Sequence, residues 1–434
     1  MRFFDTSRDD LAAIRAAITE KPSDAEDTAT EESVARILAR VRNDGDEAVI
    51  EFVRRFDAPA LTVDRIEVGR EELEEARRSI PSDLLDALEY AAANIQEFHR
   101  REAGRLQSWM DVSTDGRLLG QIARPVRRAG IYVPGGQAAY PSTVLMSAIP
   151  ASVAGVEEVV VCTPPGRDGR IPPLVAAACR GWADRVFRVG GPAAIAAMAF
   201  GTKTIPKVDV LVGPGSRFVN AAKRQVYGAV AIDMLAGPSE VCIIADEGAN
   251  TRFAAADLLA QIEHDADNRG VVLAVGAEMS AAIARELDLL LEQCARKEIL
   301  RATVGRAVIV TTRSIAEAAE LADEMAPEHL HLQARDPMAV LSLVRNAGAI
   351  LLGDYTAAAI GDYVAGPSHT LPTAGTASFS SPLSVANFMK RSSVLSFTAD
   401  AARVAAAFAA RIADGEGFDA HAHSARVRLE GASS

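Results

Sequence analysis

The sequence predicts an α/β protein with largely parallel sheets, assembled from more than one domain. Three observations lead there. At 434 residues the chain exceeds what one compact core accommodates. From Gly130 onward, short β-rich runs alternate with alanine-rich helical patterns, the rhythm of α/β layers. Aromatic residues make up only 5% of the chain, which favours closely packed helices on a sheet over an aromatic-rich β-sandwich.

Residues 8–105 are nearly all helical in pattern. Residues 32–56 carry apolar side chains at Val34, Ile37, Leu38, Val41, Val49 and Val53, interrupted by Asp44-Gly45, and Pro81 opens a further helix over 81–99. Residues 110–123 read as extended, with Asp115-Gly116 as a hairpin turn. Strands are expected over 130–133, 158–162, 186–189, 208–212 and 241–245, then over 271–274, 308–310, 330–332 and 349–352. One α/β domain therefore begins near Gly130 and ends near Ser239, and a second runs to about Leu383. A tail with a helix over 400–414 follows.

The net charge of −12, with no Lys/Arg run longer than a pair, argues against a nucleic-acid or anionic-membrane partner. The start has no apolar core of a signal peptide, and the uncharged run over 138–156 is broken by Pro141 and Pro150. Four dispersed cysteines without CxxC spacing fit a reducing cytoplasm.

Chemistry concentrates late in the chain. Six of the seven histidines lie after position 263, two of them beside carboxylates, in Glu263-His264-Asp265 and Glu328-His329. Gln261 and His264 stand three apart on a helix expected over 252–265, so one face offers an imidazole and an amide oxygen to a cation; a polar helix terminus is the plainer reading. Glu328 and His329 open a strand. Neighbours on an extended strand point to opposite sides, but at a bent strand start both can face one cleft as acid and base. Asp362 and His369 fall in a turn-rich loop, and His421 and His423 in the tail. Glycine pairs follow three strands, at Gly135-Gly136, Gly190-Gly191 and Gly213-Pro214-Gly215. Such turns let backbone N–H groups approach an anion at a helix start, although none forms GxGxxG.

Taken together and in order, these strings resemble histidinol dehydrogenases over nearly the whole chain. They are Tyr132-Val133-Pro134-Gly135-Gly136, Tyr140 to Met146, Ile232-Asp233-Met234, Ala236-Gly237-Pro238-Ser239-Glu240, Gln261-x-Glu263-His264, Glu328-His329-Leu330, Gly361-Asp362-Tyr363 and His369-x-Leu371-Pro372-Thr373. The resemblance implies a zinc-dependent, NAD-linked enzyme that oxidises an amino alcohol, L-histidinol, through the aldehyde to the acid. It implies two large incomplete Rossmann-like domains with small N- and C-terminal extensions, in an intertwined homodimer whose subunits share the active site. On that pattern residues 1–27 form the N-terminal extension, 28–129 with 240–383 the zinc-bearing domain, 130–239 the dinucleotide domain, and 384–434 the dimerisation tail. Gln261, His264, Asp362 and His421 would ligate one zinc per subunit, with His421 reaching across from the partner subunit. Glu328 and His329 would be the acid–base pair; Ser239 and Glu416, with the metal ligands and His329, would surround the substrate; Tyr132 would contact the dinucleotide.

The sequence departs from the family pattern at Ala193, where glutamine is usual, and at Ser216, where asparagine is usual; both positions are associated with NAD contacts. Ser147, Ala357-Ala358, Ser368 and His331 also differ from the usual residues. These departures favour an alternative: a paralogous NAD-dependent dehydrogenase for another small polar alcohol. A metal-binding protein without redox activity is a third reading, opposed by the intact Glu328-His329 pair.

Overall fold

The computed structural model describes residues 1–20, 28–135, 139–263 and 267–429. Two compact units emerge, Met1–Arg101 with Val126–Phe388, and Glu102–Pro125 with Met389–Ser434.

The larger unit contains two parallel sheets. The first comprises β4 (Arg128–Tyr132), β5 (Glu158–Thr163), β6 (Arg185–Arg188), β7 (Val210–Val212) and β8 (Ala231–Ile232), in the order β6-β5-β4-β7-β8. The second comprises β1 (Arg2–Asp5), β9 (Glu240–Ala245), β10 (Arg269–Val275), β11 (Val308–Thr312), β12 (His329–Gln333) and β13 (Ala349–Leu352), in the order β1-β11-β10-β9-β12-β13. Counted within each segment, both sheets repeat the order 3-2-1-4-5, and β1 adds an edge to the second. This is the expected α/β architecture with parallel-rich sheets. Strands such as Glu-Val-Val-Val-Cys-Thr are apolar on both faces because helices cover both: Val160 and Cys162 join one core, Val159 and Val161 the other.

The helical first hundred residues pack differently from the grouping of 28–129 with 240–383. Val34, Leu38 and Val41 from the helix Thr28–Asp44, and Val49 and Val53 from the helix Asp46–Phe56, share a core with Ala194, Met198 and Ala222, above the first sheet. Ala91, Ala92 and Ile95 of the helix Ser82–Ala103 join the core on its other side. The alanine-rich helix Gly191–Phe200, and Ala221 and Ala222 of the helix Arg217–Val226, leave room for a second helical layer. The start of the chain is likewise an edge strand rather than a mere extension, because Arg2–Asp5 pairs with β11 and Ile14 and Ile18 cover the second sheet. Helical periodicity reveals an apolar face but not which sheet it covers.

In the smaller unit, β14 (Met389–Phe397), β3 (Arg117–Pro125) and β2 (Trp109–Val112) form an antiparallel sheet in that order. The turn between β2 and β3 contains Gly116 at φ +88°, as Asp115-Gly116 foretold. The helices Ala399–Gly415 and Asp419–Arg426 complete the unit. The longer of them exposes Val404, Phe408 and Ile412, spaced four apart and therefore on one face. Among the described residues, no helix is long and apolar enough to cross a membrane.

Candidate active site

The chain enters β12 through Ala326, which ends the helix Ile315–Met325 in the left-handed region at φ 45°, and Pro327. This bend resolves the question of direction raised by adjacent Glu328 and His329. Both side chains line one cavity of about 180 Å³, with Nδ1 of His329 3.8 Å from Oε2 of Glu328. Further along β12 the alternation is strict. Leu330 and Leu332 enter one core, whereas His331 and Gln333 face Asp257 of the helix Thr251–Ile262.

That helix carries Gln261 on the same side, one turn beyond Asp257. Gln261 is 2% exposed, and its Nε2 lies 3.4 Å from Oδ2 of Asp362; Oδ1 of the same carboxylate is 3.1 Å from Nε2 of His329. Asp362 comes from the short helix Ala358–Tyr363, so three separate elements converge on one carboxylate. Rotating the amide would turn the Gln261 oxygen toward the same point. An amide and a carboxylate oxygen brought together at a cavity wall form an acceptor pair suited to zinc.

The remaining expected residues divide plainly. Ser239 lines the same cavity. His264 lies outside the described residues. Glu416 and His421 belong to the smaller unit, exposed at the ends of its two helices. Among the described residues, no group of three or more His, Cys, Asp or Glu side chains stands close enough to hold a metal.

Electrostatics follow from burial. Burial pushes the Glu328 carboxyl up to about 7, against the pull of neighbouring His329. Burial opposes a charge on His329, but the Asp362 hydrogen bond and the charges of Glu328 and Asp362 outweigh it and hold its pKa above the ordinary value. Glu328 is thus brought to where a carboxyl exchanges its proton near neutrality, beside an imidazole that holds its own proton more firmly than usual.

Two supporting residues escaped the sequence reading. Glu240 is a buried acid at the first position of an otherwise apolar strand, and burial raises its pKa. Its backbone N–H donates to Oε2 of Glu328 at 2.9 Å. Asn268 is also buried; it donates to the Gln261 carbonyl at 3.1 Å and accepts the Ser239 N–H at 3.1 Å. An acid heading the run Val-Cys-Ile-Ile-Ala was the available signal for Glu240; nothing local marks Asn268.

The cavity also reaches Pro214, in the turn after β7, and Tyr140 and Thr143, at the start of the helix Pro141–Ala154. It therefore lies between the N-terminal edge of the second sheet and the C-terminal edge of the first. Gly213, at φ +115°, closes against β4 so tightly that a Cβ there would stand 2.1 Å from the Tyr132 carbonyl oxygen. Tyr132 is buried, and its hydroxyl accepts the Gly191 N–H at 3.0 Å, tying β4 to the glycine turn after β6. Ala193 is 3% exposed within the helix that this turn begins, and Ser216 precedes the helix Arg217–Val226 without a side-chain cap.

Comparison with known proteins gives a uniform result. A family model described as histidinol dehydrogenase matches residues 20–429. The histidinol dehydrogenase of Synechococcus sp. is 48% identical over 404 residues, covering 92% of each chain. That of Moorella thermoacetica is 46% identical over 401 residues, covering 92% of this chain and 94% of its own. The crystal structure of histidinol dehydrogenase from Elizabethkingia anophelis superposes with a TM-score of 0.94 at 33% identity, covering 100% of this chain and 99% of that one.

Proposed function

This chain belongs to the histidinol dehydrogenase family, an oxidoreductase family of histidine biosynthesis, and from that premise we propose that it oxidises L-histidinol through the aldehyde to L-histidine, using zinc and NAD. The observation that carries the reading is the convergence of Glu328, His329, Gln261, Asp362 and Ser239 on one cavity.

Gln261 and Asp362 fit a zinc ion by their donor chemistry, and His264 and the His421 of a partner subunit complete the set. When bound, zinc supplies a fixed anchor for the substrate's nitrogens, and NAD takes up the two hydrides. His329 accepts the hydroxyl proton as the first hydride leaves the carbinol carbon, giving the aldehyde. Glu328 then removes a proton from a water molecule as its oxygen adds to that carbonyl, whose own oxygen takes back the proton held by His329. The resulting diol gives up a second hydride and a proton to become the carboxylic acid. Ser239 borders the reacting end, and Glu416 approaches from the partner subunit to orient the substrate. Assembly in trans is supported by the exposed Val404, Phe408 and Ile412 face beside the residues it would deliver. At the other end, Tyr132 positions the glycine turn of the dinucleotide site through its bond to Gly191.

The test is NADH formation by zinc-loaded protein over a panel of small polar alcohols. Histidinol should yield two NADH per molecule oxidised. Glu328→Gln should reduce aldehyde oxidation by about 10²–10⁴-fold, the usual worth of a general base. Turnover of another alcohol but not histidinol would instead establish the paralogous-substrate reading. Unchanged aldehyde oxidation in Glu328→Gln would remove the role given to that carboxylate.

A further inference from the structure

We propose that Asp57 accepts the adenosine ribose hydroxyls of the dinucleotide and selects NAD over NADP, an assignment that rests on the dinucleotide reading above. In sheets of order 3-2-1-4-5 the dinucleotide lies across the C-terminal edge, and an acid at the end of the second strand engages the ribose. Here the second strand, β5, ends in Cys162-Thr163 and continues into Pro164-Pro165, so the expected acid is missing from its usual place. Asp57 supplies a carboxylate there from a different element, the end of the helix Asp46–Phe56 packed on that sheet.

The placement is set by close contacts. A Cβ on Gly190 would lie 3.1 Å from Oδ2 of Asp57 and 2.6 Å from Cβ of Pro164, so the carboxylate stands between the ends of β5 and β6. Its charge reaches Tyr132, whose hydroxyl holds the Gly191 N–H in the same turn. Glycine at 190 keeps this approach open, because any side chain would displace either the carboxylate or Pro164.

Asp57 is half-buried, and among the described residues it accepts no side-chain hydrogen bond and forms no ion pair. Burial alone pushes its carboxyl up to about 6, which is the mark of an acid lacking a partner. Two vicinal ribose hydroxyls would satisfy both its oxygens. A 2′-phosphate would place like charge against it, and among the described residues no lysine or arginine is paired with it to compensate.

Calorimetric titration of the purified dimer with NAD⁺ and with NADP⁺ tests the assignment. Wild-type protein should favour NAD⁺ by about 30-fold or more, and Asp57→Asn should weaken NAD⁺ by about 10-fold while bringing the two within about threefold. Steady-state rates should show KM for NAD⁺ rising with kcat little changed. Asparagine is isosteric and removes a half-buried charge, so the variant should fold at least as well, which its melting temperature checks. Undiminished NAD⁺ binding or unchanged selectivity in the folded variant overturns the role of Asp57 alone. A wild-type protein that binds neither dinucleotide overturns the dinucleotide reading, and this assignment with it.

Discussion

Lys223 and Asp233 form an ion pair with no exposed side-chain surface, and its removal should unlock the turn that borders the cavity. Besides pairing with Asp233, Lys223 Nζ donates to the Gly213 carbonyl at 3.0 Å. Asp233 accepts the Gly213 N–H at 2.8 Å and the Met234 N–H at 2.6 Å. Both backbone groups of Gly213 are thus held by one buried pair. The two halves are not equivalent. Asp233→Ala leaves a buried ammonium with a single carbonyl, and stranding a charge in this way costs about 3–5 kcal/mol. Lys223→Met fills the space of the lysine stem and leaves the carboxylate two backbone N–H donors, so it should cost only about 2 kcal/mol. The double variant Lys223→Met/Asp233→Asn removes both charges and should cost less than Asp233→Ala alone.

Urea denaturation followed by tryptophan fluorescence measures these differences. Trp182 packs against the core of the first sheet, whereas Trp109 is 49% exposed on the smaller unit, so a Trp109→Phe background isolates the relevant signal. Against a total stability on the order of 5–15 kcal/mol, the expected loss for Asp233→Ala is readily measured. A cost below about 1 kcal/mol, or a larger cost for Lys223→Met than for Asp233→Ala, would refute the argument.

Two carboxylates should shift stability with pH in opposite senses. Asp57 has a folded pKa of about 6, above its unfolded value, so its full contribution is present below about pH 4 and is lost as pH rises through 6. Discounted for its solvent-facing side, the penalty at pH 8 is about 1 kcal/mol, and Asp57→Asn should melt about 1–3 °C higher there but equally at pH 4; equal melting at both would show that the carboxylate has a partner. Glu317 behaves inversely. The Arg313 hydrogen bond, helped by the Arg313 N–H and the Thr6 hydroxyl, lowers its pKa to about 2, so its stabilisation is present above about pH 4.5 and lost as pH falls toward 2. Glu317→Gln should lose about 1–2 kcal/mol in urea at pH 7 and nothing near pH 2; a loss that persists at pH 2 would mean that packing, not charge, is responsible.

Much of this was legible from local pattern. The strand runs after Gly130 are nearly all present, shifted by a residue or two; the expected 130–133 is Arg128–Tyr132, and 208–212 shortens to Val210–Val212. The helix expected over 252–265 ends at Ile262, before the histidine of its motif. What could not be read was which elements meet. His331 stands out in the sequence only as a departure from the family's usual residue, yet it is fully buried with its Nδ1 3.3 Å from Asp257, because helix and strand bring positions 74 residues apart together. Asp57 carried no signal at all, since an acid ending a solvated helix looks like a surface charge until another sheet's turns are placed beside it. The repeated 3-2-1-4-5 order was equally hidden, because it lies in connectivity rather than in any shared string.

That repeat accounts for the different character of the two ends of the site. The first sheet presents its C-terminal edge, where glycine turns and helix starts offer backbone N–H groups to phosphates. The second presents its N-terminal edge, where Glu328 and His329 enter β12 and Ser239 precedes β9. Groups at that edge are held by their neighbours: the Glu240 N–H holds Glu328, Asp362 holds Nε2 of His329, and Asn268 joins Ser239 to Gln261, while Nδ1 of His329 has no hydrogen-bond partner among the described residues. Under the proposed function, this arrangement would hold the acid–base pair in place before substrate enters. At the first sheet, Asp57 accepts no side-chain hydrogen bond and forms no ion pair among the described residues, and Ser216 makes no side-chain capping bond. On the proposed reading, groups left unsatisfied there gain most from a ligand that brings its own hydroxyls, so discrimination between dinucleotides would fall to the first sheet and proton transfer to the second.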